Sequence, residues 1–201
     1  MFNTKKMKSI VIVIGVIVTA CLSVLVSCER QVNEISPVIP ELSQESLIKR
    51  GKYLTTVGGC NDCHSPKIMT PEGPMPDTTR LFSGHPSEEK LNLKTDKEWM
   101  LFSPGLTAFV GPWGVSYAAN LSPDDTGIGN WTFEQFKTAI RKGKYKGLEG
   151  GRPLLPPMPW QMYRNLTDED LKSVFTYLKS LPPINNVVPA PIAPDKISLK
   201  K

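Results

Sequence analysis

Five residues, Cys60-Asn61-Asp62-Cys63-His64, restrict this chain more than anything else in it. Two thiols stand three positions apart, and an imidazole directly follows the second. Such a group can hold a structural metal, form a redox disulfide or attach a haem, and each demands different surroundings. A structural zinc site needs four ligands, usually with a second Cys or His pair. A thioredoxin-like pair needs a strand-helix-strand setting. A haem needs the two thiols for thioether bonds to the vinyl groups on one porphyrin edge, with the histidine beneath the iron.

The other cysteines narrow the choice. Residues 10–26, IVIVIGVIVTACLSVLV, are almost wholly apolar and follow Lys5, Lys6 and Lys8, the layout of a secretory signal. The span approaches the length of a transmembrane helix, so an uncleaved signal anchor is the alternative. Leu25-Val26-Ser27-Cys28 resembles a bacterial lipobox, in which a small residue precedes the cysteine that is lipidated, and polar Glu29-Arg30-Gln31 follow at once. Residues 1–27 therefore read as a lipoprotein signal peptide, with Cys28 as the lipidation site. Cys21 falls inside the signal, so only Cys60 and Cys63 remain for chemistry. With His85 as the only other histidine, a zinc site fails on ligand count.

Charge says little about nucleic acid. The formal net charge is +5, but without the three leading lysines the balance is 21 basic to 19 acidic residues, with no basic stripe. Apolar residues at 40% and charged residues at 21% allow a packed core and exclude wholesale disorder. With either anchor the domain is expected outside the cytoplasm and tethered to a membrane, and more than one acyl chain would make a lipid tether stable.

Residues 28–42, with Pro37 and Pro40, read as a tether. The first helix is expected from about Ser43 to Gly58-Gly59, with Leu47, Ile48, Gly51 and Leu54 on one face. Residues 65–130 are dense in turn signals, and no convincing strand is apparent; a short helix is expected over Asp96–Phe102. A long irregular stretch in a compact domain is usually functional. Thr132-Phe133-Glu134-Gln135 has capping-box spacing and opens a helix with Phe133, Phe136 and Ile140 inward. The last helix begins at Thr167, buries Leu171, Val174, Phe175 and Leu178, and stops before Pro182-Pro183. A domain over 43–185 and a Pro-containing C-terminal tail over 186–201 complete the division.

Helices without strands disfavour a thioredoxin-like pair, and the secreted setting favours covalent haem, with His64 as the proximal iron ligand. The sixth position then decides the chemistry. Met158 stands out in Leu154-Leu155-Pro156-Pro157-Met158-Pro159-Trp160, because prolines stiffen the loop that would present a weak neutral thioether. Met162 is expected to fill a core gap. His85, in Ser83-Gly84-His85-Pro86, is the rival ligand, although a loop histidine is more often solvated or structural.

From about Ser43 to Pro183 the chain resembles class I c-type cytochromes, especially haem domains of cytochrome subunits serving periplasmic membrane-bound alcohol, aldehyde and sugar-acid dehydrogenases. The carrying residues are Cys60 to His64, Asn120-Leu121-Ser122-Pro123-Asp124, Thr126-Gly127-Ile128-Gly129-Asn130-Trp131-Thr132, Phe136, Arg141, Gly143, Pro157-Met158-Pro159-Trp160, Leu166 to Leu171, and Tyr177-Leu178. The resemblance implies a mostly α fold with helices packed around one covalently bound haem c and long irregular loops. It implies Cys60 and Cys63 as haem attachments, with His64 and Met158 as axial ligands. It also implies a segment from Asn120 to Thr132 around the haem edge, with Trp131 near a propionate or packing at the helix start. Trp113 and Trp160 are read as core or pocket packing. Those subunits typically carry several haem domains in tandem, whereas this chain has one motif and extra sequence between His64 and Asn120.

The function implied is electron transfer by a membrane-anchored mono-haem cytochrome, itself not an enzyme. Its partners would be redox proteins: a dehydrogenase or quinol-oxidising complex as donor, an oxidase or another cytochrome as acceptor. The alternatives are a haem enzyme or gas or redox sensor with a labile sixth ligand, and a fixed cytochrome subunit of a membrane-bound dehydrogenase.

Overall fold

Helices carry the core, and the three long ones begin at a capping side chain. The computed structural model describes residues 42–71, 73–91 and 100–197. The signal, Cys28 and most of the tether lie outside the described residues. Helix α1, Gln44–Val57, starts at Ser43, whose Oγ accepts from Ser46 N at 3.2 Å. The five-residue helix α2, Cys60–His64, follows after Gly59, whose φ of 66° is the left-handed turn that glycine takes without penalty. Helix α3, Phe133–Lys142, has the expected capping box: Gln135 N donates to Thr132 Oγ1, and Thr132 N donates to Gln135 Oε1. A short α4, Trp160–Tyr163, leads into α5, Asp168–Lys179, which Thr167 caps through Asp170 N.

The long helices meet on their apolar faces. Leu171, Val174, Tyr177 and Leu178 of α5 join Phe82, Ile128 and Phe136 in the buried cluster, with Ile48, Leu54, Phe133, Ile140 and Phe175 packed against it. Helix α1 crosses α5 at Gly51, where a Cβ would stand 2.1 Å from Ser173 O and 2.5 Å from Tyr177 Cβ. Arg50 and Asp170 clamp the same crossing, Nε and Nη2 both 2.5 Å from Oδ1.

The region read as irregular contains strands, which corrects the expectation. Strands β1, Lys67–Thr70, and β2, Gly73–Pro76, form an antiparallel hairpin. Strands β3, Leu101–Phe102, β4, Ala108–Gly111, and β5, Gly114–Tyr117, form a three-stranded antiparallel sheet in that order. The end of the helix expected over Asp96–Phe102 is thus strand, and Asp96–Glu98 and Trp99 lie outside the described residues. None of these strands exceeds four residues, too short for alternation to show. The segment after α5 is packed on the domain: Ile192 exchanges backbone hydrogen bonds with Val115, and the Asn186 side chain is buried. Among the described residues no helix is long and apolar enough to cross a membrane.

Candidate functional site

Helix α2 gathers the motif on one face of a single turn. Cys60, Cys63 and His64 stand at positions i, i+3 and i+4, the spacing that brings side chains together on a helix. Lys67 Nζ closes the far end, donating to the carbonyls of Asn61 at 3.1 Å, Asp62 at 3.0 Å and Ser65 at 2.5 Å. Burial pushes the Cys60 thiol up to about 11 and raises that of Cys63. Reactive thiolate pairs have depressed values instead, so the thioredoxin-like reading loses ground on electrostatics as well as context.

His64 is oriented by the backbone. Its Nδ1 lies 2.8 Å from Ala119 O, and a carbonyl can only accept, so Nδ1 carries the proton and Nε2 keeps its lone pair. Burial lowers the His64 pKa, which favours the neutral, ligating form despite the opposing pull of that carbonyl. A ligating histidine usually donates its other nitrogen in this way.

The Met158 loop is tied to the same segment of chain. Ser116 Oγ donates to Pro156 O at 2.6 Å and accepts from Trp113 Nε1 at 3.1 Å. Ser116 and Ala119 are three residues apart, so at most about 11 Å of extended chain separates the residue holding the loop from the residue holding His64. Two further contacts fix the loop's exit. Trp160 packs onto Gly143, whose φ of 62° ends α3 and where a Cβ would meet the indole at 2.4 Å. The Tyr163 hydroxyl donates to Gly58 O at 2.5 Å, docking α4 beside the start of α2. The structure therefore brings Cys60, Cys63, His64 and the Met158 loop into one region. Met162 instead stands 70% exposed, which corrects its reading as core filler: it falls on the outer face of a four-residue helix.

Other expected residues have defined places. Asn120 is 5% exposed, and its amide is spent on protein: Nδ2 donates to Thr126 Oγ1 and Ile184 O, and Oδ1 accepts from Ser122 N. Trp131, just before α3, packs partly buried against the core cluster. His85 is completely buried, its Nδ1 2.9 Å from Thr107 Oγ1 and its ring 4.8 Å from that of Tyr117. Its Nε2 has no partner among the described residues. Among those residues no three His, Cys, Asp or Glu side chains converge as a metal cluster. Sequence reasoning missed the Ala119 carbonyl, the Ser116 hydroxyl and the Lys67 cap. Only the Lys67 cap left a trace, as a cation just beyond a helix end.

No family model matches the chain. Several curated relatives do, among them the following. It is 28% identical to a nicotinate dehydrogenase subunit of Pseudomonas putida over 161 residues, covering 78% of this chain and 11% of that protein. It is 31% identical to the gluconate 2-dehydrogenase cytochrome c subunit of Pantoea cypripedii over 136 residues, covering 67% of this chain and 23% of that one. With the fructose dehydrogenase cytochrome subunit of Gluconobacter japonicus it shares 31% over 140 residues, covering 69% and 22%. The chain thus spans less than a quarter of the length of the relatives it matches. Motif, site and relatives converge on one description: the chain resembles a c-type cytochrome, and its likeness is to the cytochrome subunits of dehydrogenases.

Proposed function

We propose that this chain is an electron carrier, a class I c-type cytochrome with one covalently bound haem c. The observation that carries the reading is the His64 Nδ1 to Ala119 hydrogen bond, which leaves Nε2 unprotonated on the same helical face as two neutral thiols. The donor set suits the group: two cysteines for thioether attachment, a neutral imidazole and a thioether sulfur. When bound, haem c supplies one-electron chemistry by cycling between ferrous and ferric iron. Cys60 and Cys63 would anchor it, and His64 and Met158 would ligate its iron, Met158 from a loop stiffened by three prolines. Asn120 shapes the surrounding loop, and Trp131 packs beside it. A methionine on the distal side favours the ferrous state, so the potential lies above that of a bis-histidine site.

In the complete arrangement, residues 1–27 are removed and Cys28 is lipidated. Residues 28–42 lift the cytochrome domain, 43–185, off an extracytoplasmic membrane surface, and residues 186–201 form its C-terminal extension. Electrons enter from a dehydrogenase or a quinol-oxidising complex and leave to an oxidase or another cytochrome, across small, weak interfaces. The dehydrogenase names of the relatives favour a second reading, a fixed subunit, which differs by a stoichiometric partner that co-purifies with it.

The test is carbon monoxide binding to the dithionite-reduced protein, read by visible absorption after a pyridine haemochrome assay has counted one haem per chain. An unchanged spectrum is expected. A prompt shift would move the reading to an enzyme or sensor with a labile sixth ligand.

A further inference from the structure

We infer that the Ser83-Gly84-His85 turn, locked from behind by Asn186, is a clasp that holds the Ala119 carbonyl against His64 and thereby sets the reduction potential. The inference rests on His64 being an iron ligand. It assigns His85 a positioning role in place of a ligating one.

The turn bridges the two halves of the proximal hydrogen bond. Gly84 N donates to His64 O at 2.8 Å, and His85 N donates to Ala118 O at 2.9 Å. Consecutive amides thus tie the peptide of the histidine to the peptide preceding its acceptor. The fit leaves no slack: at Gly84, φ 78°, a Cβ would stand 2.6 Å from Ala118 O and Ala119 C and 2.7 Å from Asn120 N. Phe82, just before the turn, is held in the left-handed region at φ 58°, a conformation costly for a bulky residue. Ser65 Oγ accepts from its N, and its O accepts from Leu121 N, so the strained residue is fixed from both sides.

Asn186 closes the clasp from the C-terminal segment. Its Nδ2 donates to Ser83 O at 2.7 Å and His85 O at 2.9 Å, satisfying the carbonyls on either side of Gly84. Its Oδ1 accepts from Ser87 N, and its own N donates to Thr126 Oγ1. The buried His85 ring adds the last fixed point. It packs on Tyr117 and meets Thr107 Oγ1, while Thr107 O accepts from Ala118 N.

A carbonyl acceptor on Nδ1 raises the donor strength of Nε2, and a stronger donor stabilises ferric iron. Loosening the clasp lets the carbonyl withdraw, so the potential should rise.

The experiment uses the full-length haem-loaded protein with Asn186→Ala and Gly84→Ala, and Thr167→Ala as a destabilised control at the start of α5. Three quantities are read: midpoint potential by redox titration, exchange of the His64 Nδ1 proton by NMR in the reduced state, and the denaturation midpoint. Both clasp variants are expected to raise the potential and to speed that exchange at least tenfold, while the control loses only stability. If Gly84→Ala does not accumulate, Asn186→Ala alone carries the test, because it adds no clash. Clasp variants that lose stability yet keep the parental potential and exchange would overturn the inference. A wild-type protein without covalent haem would instead overturn the underlying reading, and the clasp with it.

Discussion

Met158 and Met162 lie four residues apart, yet their surroundings assign them different work. Met158 N donates to Leu155 O within a loop that Ser116 grips at Pro156, whereas Met162 stands on the exposed face of α4. A thioether is a weak ligand, so its value depends on being held in place before iron is bound. Met158→Ala should therefore give a reduced protein that binds carbon monoxide within mixing time. Met162→Ala should leave the reduced spectrum unchanged in the same assay. Carbon monoxide binding by both variants, or by neither, would remove Met158 from the ligand set. The stability cost of Met158→Ala should be modest, about 1–2 kcal/mol, because the side chain is only partly buried.

At the scale of elements, the contact between α1 and α5 shows how charge and close packing work together. Gly51 lets the helices approach to backbone contact, and Asp170, 8% exposed, bonds Arg50 across the crossing. Burial alone would push the Asp170 carboxyl up, but the Arg50 guanidinium and the Thr167 cap outweigh it and hold the carboxyl below the usual range. A carboxyl depressed in the fold stabilises it above the unfolded value of about 3.9. That contribution is lost as pH falls through the lower folded value. Asp170→Asn should thus cost about 1–2 kcal/mol near neutral pH, discounted because Arg50 is half in solvent. The difference from the parent should shrink as pH falls below about 4. Denaturant midpoints measured from pH 7 to pH 3 check this, and a constant difference across that range would refute it. These helices were legible in the sequence because caps and apolar spacing repeat over ten or more residues. The strands were not, since runs of two to four residues carry no period and their pairing is fixed by hairpin closure. The site divides the same way. Its side-chain donors announce themselves as Cys, His and Met. The acceptor orienting His64 is a backbone carbonyl that any residue could supply, and only the fold places Ala119 there.

For the whole molecule, the function proposed depends on where the domain is held as much as on what it holds. The proposed haem attachment would need Cys60 and Cys63 as free thiols outside the cytoplasm, where disulfides also form readily. Burial raises both thiols, and a thiol held protonated is a poorer attacking group for closing a disulfide. The proposed anchor would confine the carrier to one membrane surface, which would raise its encounter rate with partners in the same plane without any tight interface. On this view Cys28 is a determinant of electron flux although it lies far along the sequence from the haem motif. Cys28→Ser should move the protein from the membrane fraction to the soluble extracytoplasmic fraction or leave it as an unprocessed precursor. In either case its mass should lack the lipid addition at residue 28. The haem content and reduced spectrum of whatever accumulates should match the parent, because Cys28 is not among the residues proposed to attach the haem or ligate its iron. A membrane-bound Cys28→Ser protein with residues 10–26 still attached would replace the lipid with an uncleaved signal anchor. A variant lacking haem would show that secretion and haem attachment are coupled through the anchor itself.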